Sequence, residues 1–86
     1  MSPMSRREKI EAMLVDDPQD VFLNYSLAME LEKEGQHDLC LERLRGLMVV
    51  KPPYVAAYFR AGQLLTRLGR LPEAREALRN GIQQAR

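Results

Sequence analysis

The chain has 86 residues, 45% of them apolar and 29% charged, with a formal net charge of +1. That balance excludes a disordered tail and fits one soluble domain near the small end for an unaided core. A single cysteine cannot close a disulfide within the chain. No stretch approaches the roughly 20 apolar residues of a membrane span.

Five helices are predicted. Over 6–15, Ile10, Met13 and Leu14 form an i, i+3, i+4 stripe. Asp17-Pro18 stops this helix and opens the next, with Asp17 as N-cap and Pro18 in the first turn. The second helix runs to Glu34 with Val21, Asn24, Leu27, Ala28 and Leu31 on its inner face, and Gly35 closes it by tolerating positive φ. The third covers 38–50, with Leu41, Leu44, Leu47 and Met48 at helical spacing. Lys51-Pro52-Pro53 breaks the chain. The fourth, 54–68, turns Tyr58, Ala61, Gly62, Leu65 and Leu68 inward and ends at Gly69. Pro72 suits the first turn of the fifth, whose inner face is Ala74, Ala77, Leu78, Gly81 and Ile82. Connections of a few residues force antiparallel neighbours. No segment alternates with the period of a strand.

Shifted by 34 places, the chain overlays on itself. Pro18 falls on Pro52, Val21 on Val55, Leu31 on Leu65, Gly35 on Gly69, Glu42 on Glu76, Leu44 on Leu78 and Arg45 on Arg79. The first helix obeys the same shift, with Ile10 on Leu44, Met13 on Leu47 and Leu14 on Met48. A fixed period of this size marks stacked supersecondary units, none able to bury its apolar face alone. The organisation is one domain over 1–86: a half unit at 5–17, then whole units at 18–51 and 52–86.

The chain resembles the tetratricopeptide-repeat family. Tyr58, Ala61-Gly62, Leu65, Gly69, Ala74, Leu78 and Gly81 stand at that family's signature places, and Leu27-Ala28, Leu31, Gly35, Cys40, Leu44 and Pro52 follow in the first whole unit. Asn24, Cys40 and Leu47 depart from the pattern, where a large apolar residue, Ala and a small residue are usual. The resemblance implies an all-α fold, a right-handed stack of antiparallel helix hairpins (an α-α superhelix) of five helices. Packing gives a reason for the small residues. Gly inside a helix costs about 1 kcal/mol relative to Ala, and Ala28 and Gly62 are expected to face Cys40 and Ala74 where paired helices close up.

The resemblance also implies a function. The first helix of each unit in this family lines a groove that takes an extended peptide or a partner helix. On this chain the groove positions are Phe22, Tyr25, Met29 and Lys33, then Ala56, Phe59, Gln63 and Arg67. Helical spacing independently sets 22, 25, 29 and 33 on one stripe, separate from the inner one. Apolar side chains of a protein or peptide partner would insert between Phe22, Tyr25, Met29 and Phe59, with Lys33, Gln63 and Arg67 setting orientation. Tyr25, Met29 and Arg60 stand where relatives that clamp a C-terminal carboxylate carry Lys and Asn, so an apolar or amphipathic ligand fits better.

Other chemistries find little footing. His37 and Cys40 lie three apart at a helix start, short of the three or four ligands zinc needs, and Cys40 falls where a small buried residue is expected. No metal or cofactor is expected. A lone His and the lack of a Ser/Cys–His–acid set argue against an enzyme. Arg60, Arg67, Arg70, Arg75 and Arg79 spread over at least two helices without aromatic interleaving beyond Phe59, and read as a solvated face rather than a nucleic-acid reader. Arg6 and Arg7 run into Glu8 and Lys9 rather than an apolar stretch, against a signal peptide. No membrane association is expected, and the cytoplasm is the expected location.

The charge is unevenly spread. Residues 1–43 carry five Lys/Arg against ten Asp/Glu, a net of −5, and residues 44–86 carry eight against two, a net of +6. The last helix is expected to leave its outer face apolar, although repeat stacks end on a polar one. A following helix or a second molecule would cover it. The alternative to the adaptor reading is therefore a self-association element, a homodimer or head-to-tail assembly, with the acidic half of one copy against the basic half of another. Leu71, Leu78 and Ile82 would lie near that contact.

Overall fold

The computed structural model describes residues 3–86. Met1 and Ser2, which the sequence reading places in the same domain, lie outside them. The described residues form five α-helices and no strand: α1 (Arg6–Asp16), α2 (Val21–Lys33), α3 (His37–Met48), α4 (Val55–Arg67) and α5 (Leu71–Gln84). The fold is all-α, as expected. Two compact units divide it inside α3, the first ending at Arg43 and the second beginning at Leu44.

In the first unit, α1 starts on a capping box that the sequence reading passes over. The Glu8 N–H donates to Ser5 Oγ at 3.1 Å and the Ser5 N–H donates back to Glu8 Oε1 at 3.0 Å, so two orphan donors are satisfied reciprocally. Ile10 and Leu14, one turn apart, are buried, but Met13 is 50% exposed. Met13 sits about 100° around the helix from Leu14, outside the narrow seam that faces α2. The start of α2 also differs from expectation. Asp17 is the C-cap of α1, and the N-cap of α2 is Asp20, whose Oδ1 accepts from the Leu23 N–H at 2.8 Å. Pro18 therefore belongs to the turn rather than to the first helical residues. Ion pairs of Arg6 with Glu30 and of Arg7 with Glu34 join the start of α1 to the end of α2, so the two helices run antiparallel.

In the second unit, contacts of α4 with α5 also run in opposite directions. A Cβ built on Gly62 would lie 2.6 Å from Leu78 Cγ, and one on Gly81 would lie 2.8 Å from Tyr58 Cβ and 3.3 Å from the ring of Phe59. The helices thus approach at two glycines, one from each side. The atoms nearest position 62 belong to Leu78, one turn beyond the Ala74 that the sequence reading sets opposite it. Ala57 and Leu64 join Tyr58, Ala61 and Leu65 in the core, and neither was expected there. Each fully buried leucine (Leu27, Leu41, Leu44 and Leu64) contributes about 1.5–3 kcal/mol.

The two helices that open whole repeats end in the same way. Gly35 has φ +77° and Gly69 +76°. At the first corner the Gln36 N–H donates to Leu31 O and the Gly35 N–H to Glu32 O; at the second the Arg70 N–H donates to Leu65 O and the Gly69 N–H to Thr66 O. Every partner moves by 34 residues. This is the paired hydrogen-bond pattern of a Schellman corner, which a left-handed glycine permits without steric cost.

Asn24 and Tyr58 occupy equivalent repeat positions and tie down the chain that precedes their own helices by different chemistry. The Asn24 amide donates to Pro18 O and Asp20 O and accepts from Arg43 Nη1, while the Tyr58 hydroxyl donates to Met48 O. That is why a polar residue is accommodated where the family pattern has a large apolar one.

The tight approach at Gly81 makes a specific demand. Gly81→Ala should destabilise the protein by about 1–3 kcal/mol through overpacking, despite the better helix propensity of alanine. The atom it meets at 58 is a Cβ fixed to the backbone, which cannot swing aside. Gly62→Ala meets only a movable Leu78 side chain, so it should cost less and should couple to Leu78→Ala in a double-mutant cycle. Urea denaturation measures all of these; a stabilised Gly81→Ala would contradict the packing described.

Candidate functional site

The residues expected to bind a partner lie on one helix of each unit, α2 in the first and α4 in the second. On α2, Phe22, Tyr25, Met29 and Lys33 lie on one stripe. Phe22 is 73% exposed, Tyr25 and Met29 are half-buried, and Lys33 is exposed. The Lys33 ammonium sits 3.2 Å from Glu30 Oε2, and that carboxylate also takes Arg6. The apolar end of the stripe is therefore at the start of α2 and the charged end at its last turn. Cations there interact favourably with the helix dipole.

On α4 the corresponding stripe holds Ala56, Phe59, Gln63 and Arg67, with Phe59 half-buried and the other three exposed. Arg67 is the last residue of α4, as Lys33 is of α2. Phe59 also packs within the chain, because its ring edge lies over Gly81 of α5. Replacing it would loosen the α4–α5 hairpin as well as any surface it offers. Phe22 is the more exposed aromatic and the better probe of this face.

Leu78 and Ile82 lie together in an open depression of about 410 Å³ on α5, which Arg75, Arg79, Gln83 and Arg86 complete. Leu78 is half-buried and Ile82 51% exposed, so Ile82 does not belong to the inner face to which helical spacing assigns it. Leu71 is 55% exposed near the start of α5 and does not line the depression. The outer face is not simply apolar, since cationic side chains frame its two aliphatic ones. The signal was legible: 75, 78, 79, 82, 83 and 86 fall at one helical spacing. Read from sequence, Arg75 and Arg79 are members of a diffuse basic set.

Cys40 is fully buried, and among the described residues no three of His, Cys, Asp and Glu gather where they could hold a metal. Among the described residues no helix is long and apolar enough to cross a membrane. The chain matches no family model, no curated protein and no solved structure.

The first turn of α5 carries a charge cluster. Arg70 donates to both oxygens of Glu73, at 3.0 Å from Nε and 2.7 Å from Nη2, and Arg45 Nη2 lies 3.5 Å from the same carboxylate. The Arg70 hydrogen bonds hold the Glu73 carboxyl below its ordinary value of 4.5; desolvation opposes this, and the charges of Arg70 and Arg45 add to it. Glu8 is also lowered, chiefly by the Ser5 backbone N–H and then by the Ser5 side chain.

A folded-state pKa below the unfolded one contributes stability above the unfolded value, and that stability is lost as pH falls through the folded value. The window is therefore acidic, from 4.5 downward. In a carboxyl-carbon NMR titration Glu73 should have a midpoint below 4.5, and Arg70→Ala should return it towards 4.5. An unmoved midpoint in that variant would remove Arg70 as the cause.

Proposed function

We propose that this chain is a tetratricopeptide-repeat adaptor, a non-catalytic protein–protein interaction module of the cytoplasm whose α2 and α4 faces receive a peptide or helix of a partner protein. The observation that carries this reading is Phe22. A phenylalanine 73% exposed at the start of α2, on one stripe with Tyr25 and Met29, leaves a large apolar surface in water. Surface that is both aromatic and contiguous with other apolar side chains is what a binding face needs. Met29 adds a side chain able to adapt to irregular ligands.

The recurrence of the glycine corner after 34 residues, bond for bond, supports the family reading. Two equivalent helices then offer two equivalent faces, each ending in a cation, Lys33 on one and Arg67 on the other. In this mechanism the partner's apolar side chains cover Phe22, Tyr25 and Met29 on α2 and the open part of Phe59 on α4. Gln63 supplies an amide for orientation, and Lys33 and Arg67 select for acidic groups on the ligand. Covering one phenylalanine contributes about 1.5–3 kcal/mol.

Phe22→Ser tests this directly. Affinity capture from the native cell identifies the partner, and its dissociation constant should rise by about 10- to 100-fold in the variant, which follows from that energy. The circular dichroism spectrum and melting temperature should be unchanged, because Phe22 is largely outside the core. Undiminished binding of every captured protein by Phe22→Ser would refute the assigned face.

A further inference from the structure

The depression on α5 has an apolar floor, Leu78 and Ile82, and a cationic frame, Arg75, Arg79 and Arg86. Among the described residues none of these three arginine side chains makes an ion pair or hydrogen bond, whereas Arg45 and Arg70 nearby in sequence are both engaged with Glu73. Guanidinium groups not engaged by a carboxylate, set beside aliphatic carbon, form a surface complementary to an amphipathic helix with acidic flanks.

The chain carries such a helix face. On α1, Glu8, Glu11, Ala12, Val15 and Asp16 fall at i, i+3, i+4, i+7 and i+8, and all five are exposed, Val15 at 80%. Their spacing makes one stripe in which Ala12 and Val15 are the apolar centre and the carboxylates the flanks. Glu11 is 3.7 Å from Arg7 Nε, a solvent-exposed pair of little strength.

We propose that the α1 stripe of a second copy of this chain docks in the α5 depression, with Ala12 and Val15 against Leu78 and Ile82 and with Glu11 and Asp16 facing the arginines. Charge complementarity selects this occupant. The charged residues of the α1 stripe, Glu8, Glu11 and Asp16, are all acidic and those framing the α5 depression are all arginines, so a second copy brings opposite charge to it. The symmetric alternative, α5 against α5, would place three arginines opposite three more and is electrostatically opposed. The contact is heterologous, since it joins different patches on the two copies, and each copy keeps one patch for a further neighbour. It uses neither Phe22 nor Tyr25, and is independent of the adaptor reading.

The test is sedimentation equilibrium of the full chain over a wide concentration range at about 0.05 M and about 0.5 M salt, where screening differs strongly. Wild type should associate, and the dissociation constant should rise at least tenfold at high salt. Arg75→Glu/Arg79→Glu alone and Glu11→Lys/Asp16→Lys alone should each weaken association at least tenfold, with circular dichroism showing an intact helical fold. An equimolar mixture of the two variants should associate again, because the unaltered α1 stripe of one meets the unaltered α5 face of the other, and the two reversed faces also meet with opposite charge. A strict monomer at every concentration overturns the proposal, as does undiminished association of either variant alone or failure of the mixture to associate.

Discussion

A left-handed glycine at the end of α2 and another at the end of α4 are the constraint on which the remaining structure depends. Each reverses the chain within three residues while satisfying two carbonyls that the helix end would leave bare. A non-glycine residue at φ near +77° would bring Cβ against the following carbonyl. Because the turn is this short, α4 and α5 must lie side by side and antiparallel, and their surfaces must then be small where they cross. Gly62 and Gly81 meet that demand from opposite helices. The corner thus constrains residues on both sides of it, Gly62 before Gly69 and Gly81 after it.

The same logic separates side chains that hold the fold from side chains that stay largely in water. Tyr58 and Asn24 occupy one repeat position and both direct their polar atoms to the preceding chain. Phe59 lends its edge to Gly81. Phe22, by contrast, keeps most of its surface in water, as do Val15 on α1 and Ile82 on α5. What remains exposed is grouped by chemistry: aromatic and soft on α2, a carboxylate-flanked apolar stripe on α1, arginine-framed on α5.

Helix number, type and the two glycine ends were legible in the sequence because a repeat states each rule twice. Gly35 and Gly69 support one another from 34 residues apart, as do Leu31 and Leu65. Boundaries governed by a single side chain were not legible. Asp17 and Asp20 are both cap-forming residues ahead of the run that starts at Val21, and Pro18 points to the wrong aspartate; only the Leu23 N–H, reaching Asp20, decides between them. Met13 and Ile82 satisfy helical spacing yet are exposed, because spacing fixes an angle around the helix and not the width of the neighbour that covers it. Ala57 and Leu64 were missed for the converse reason, lying beside the assumed stripe on a helix covered more broadly. The stripe on α2 is visible in the sequence, whereas the structural use of Phe59 required the position of Gly81.

The most direct measurement is the stability of Gly35→Ala and Gly69→Ala by equilibrium denaturation, each compared with wild type. Alanine is the better residue in any right-handed helix, and it is disfavoured by about 1–2 kcal/mol where φ is positive. Both variants should lose about that much, by similar amounts, because the two corners share φ values and hydrogen bonds. A variant as stable as wild type at either position would contradict the corner, and with it the repeat of antiparallel helices built upon it.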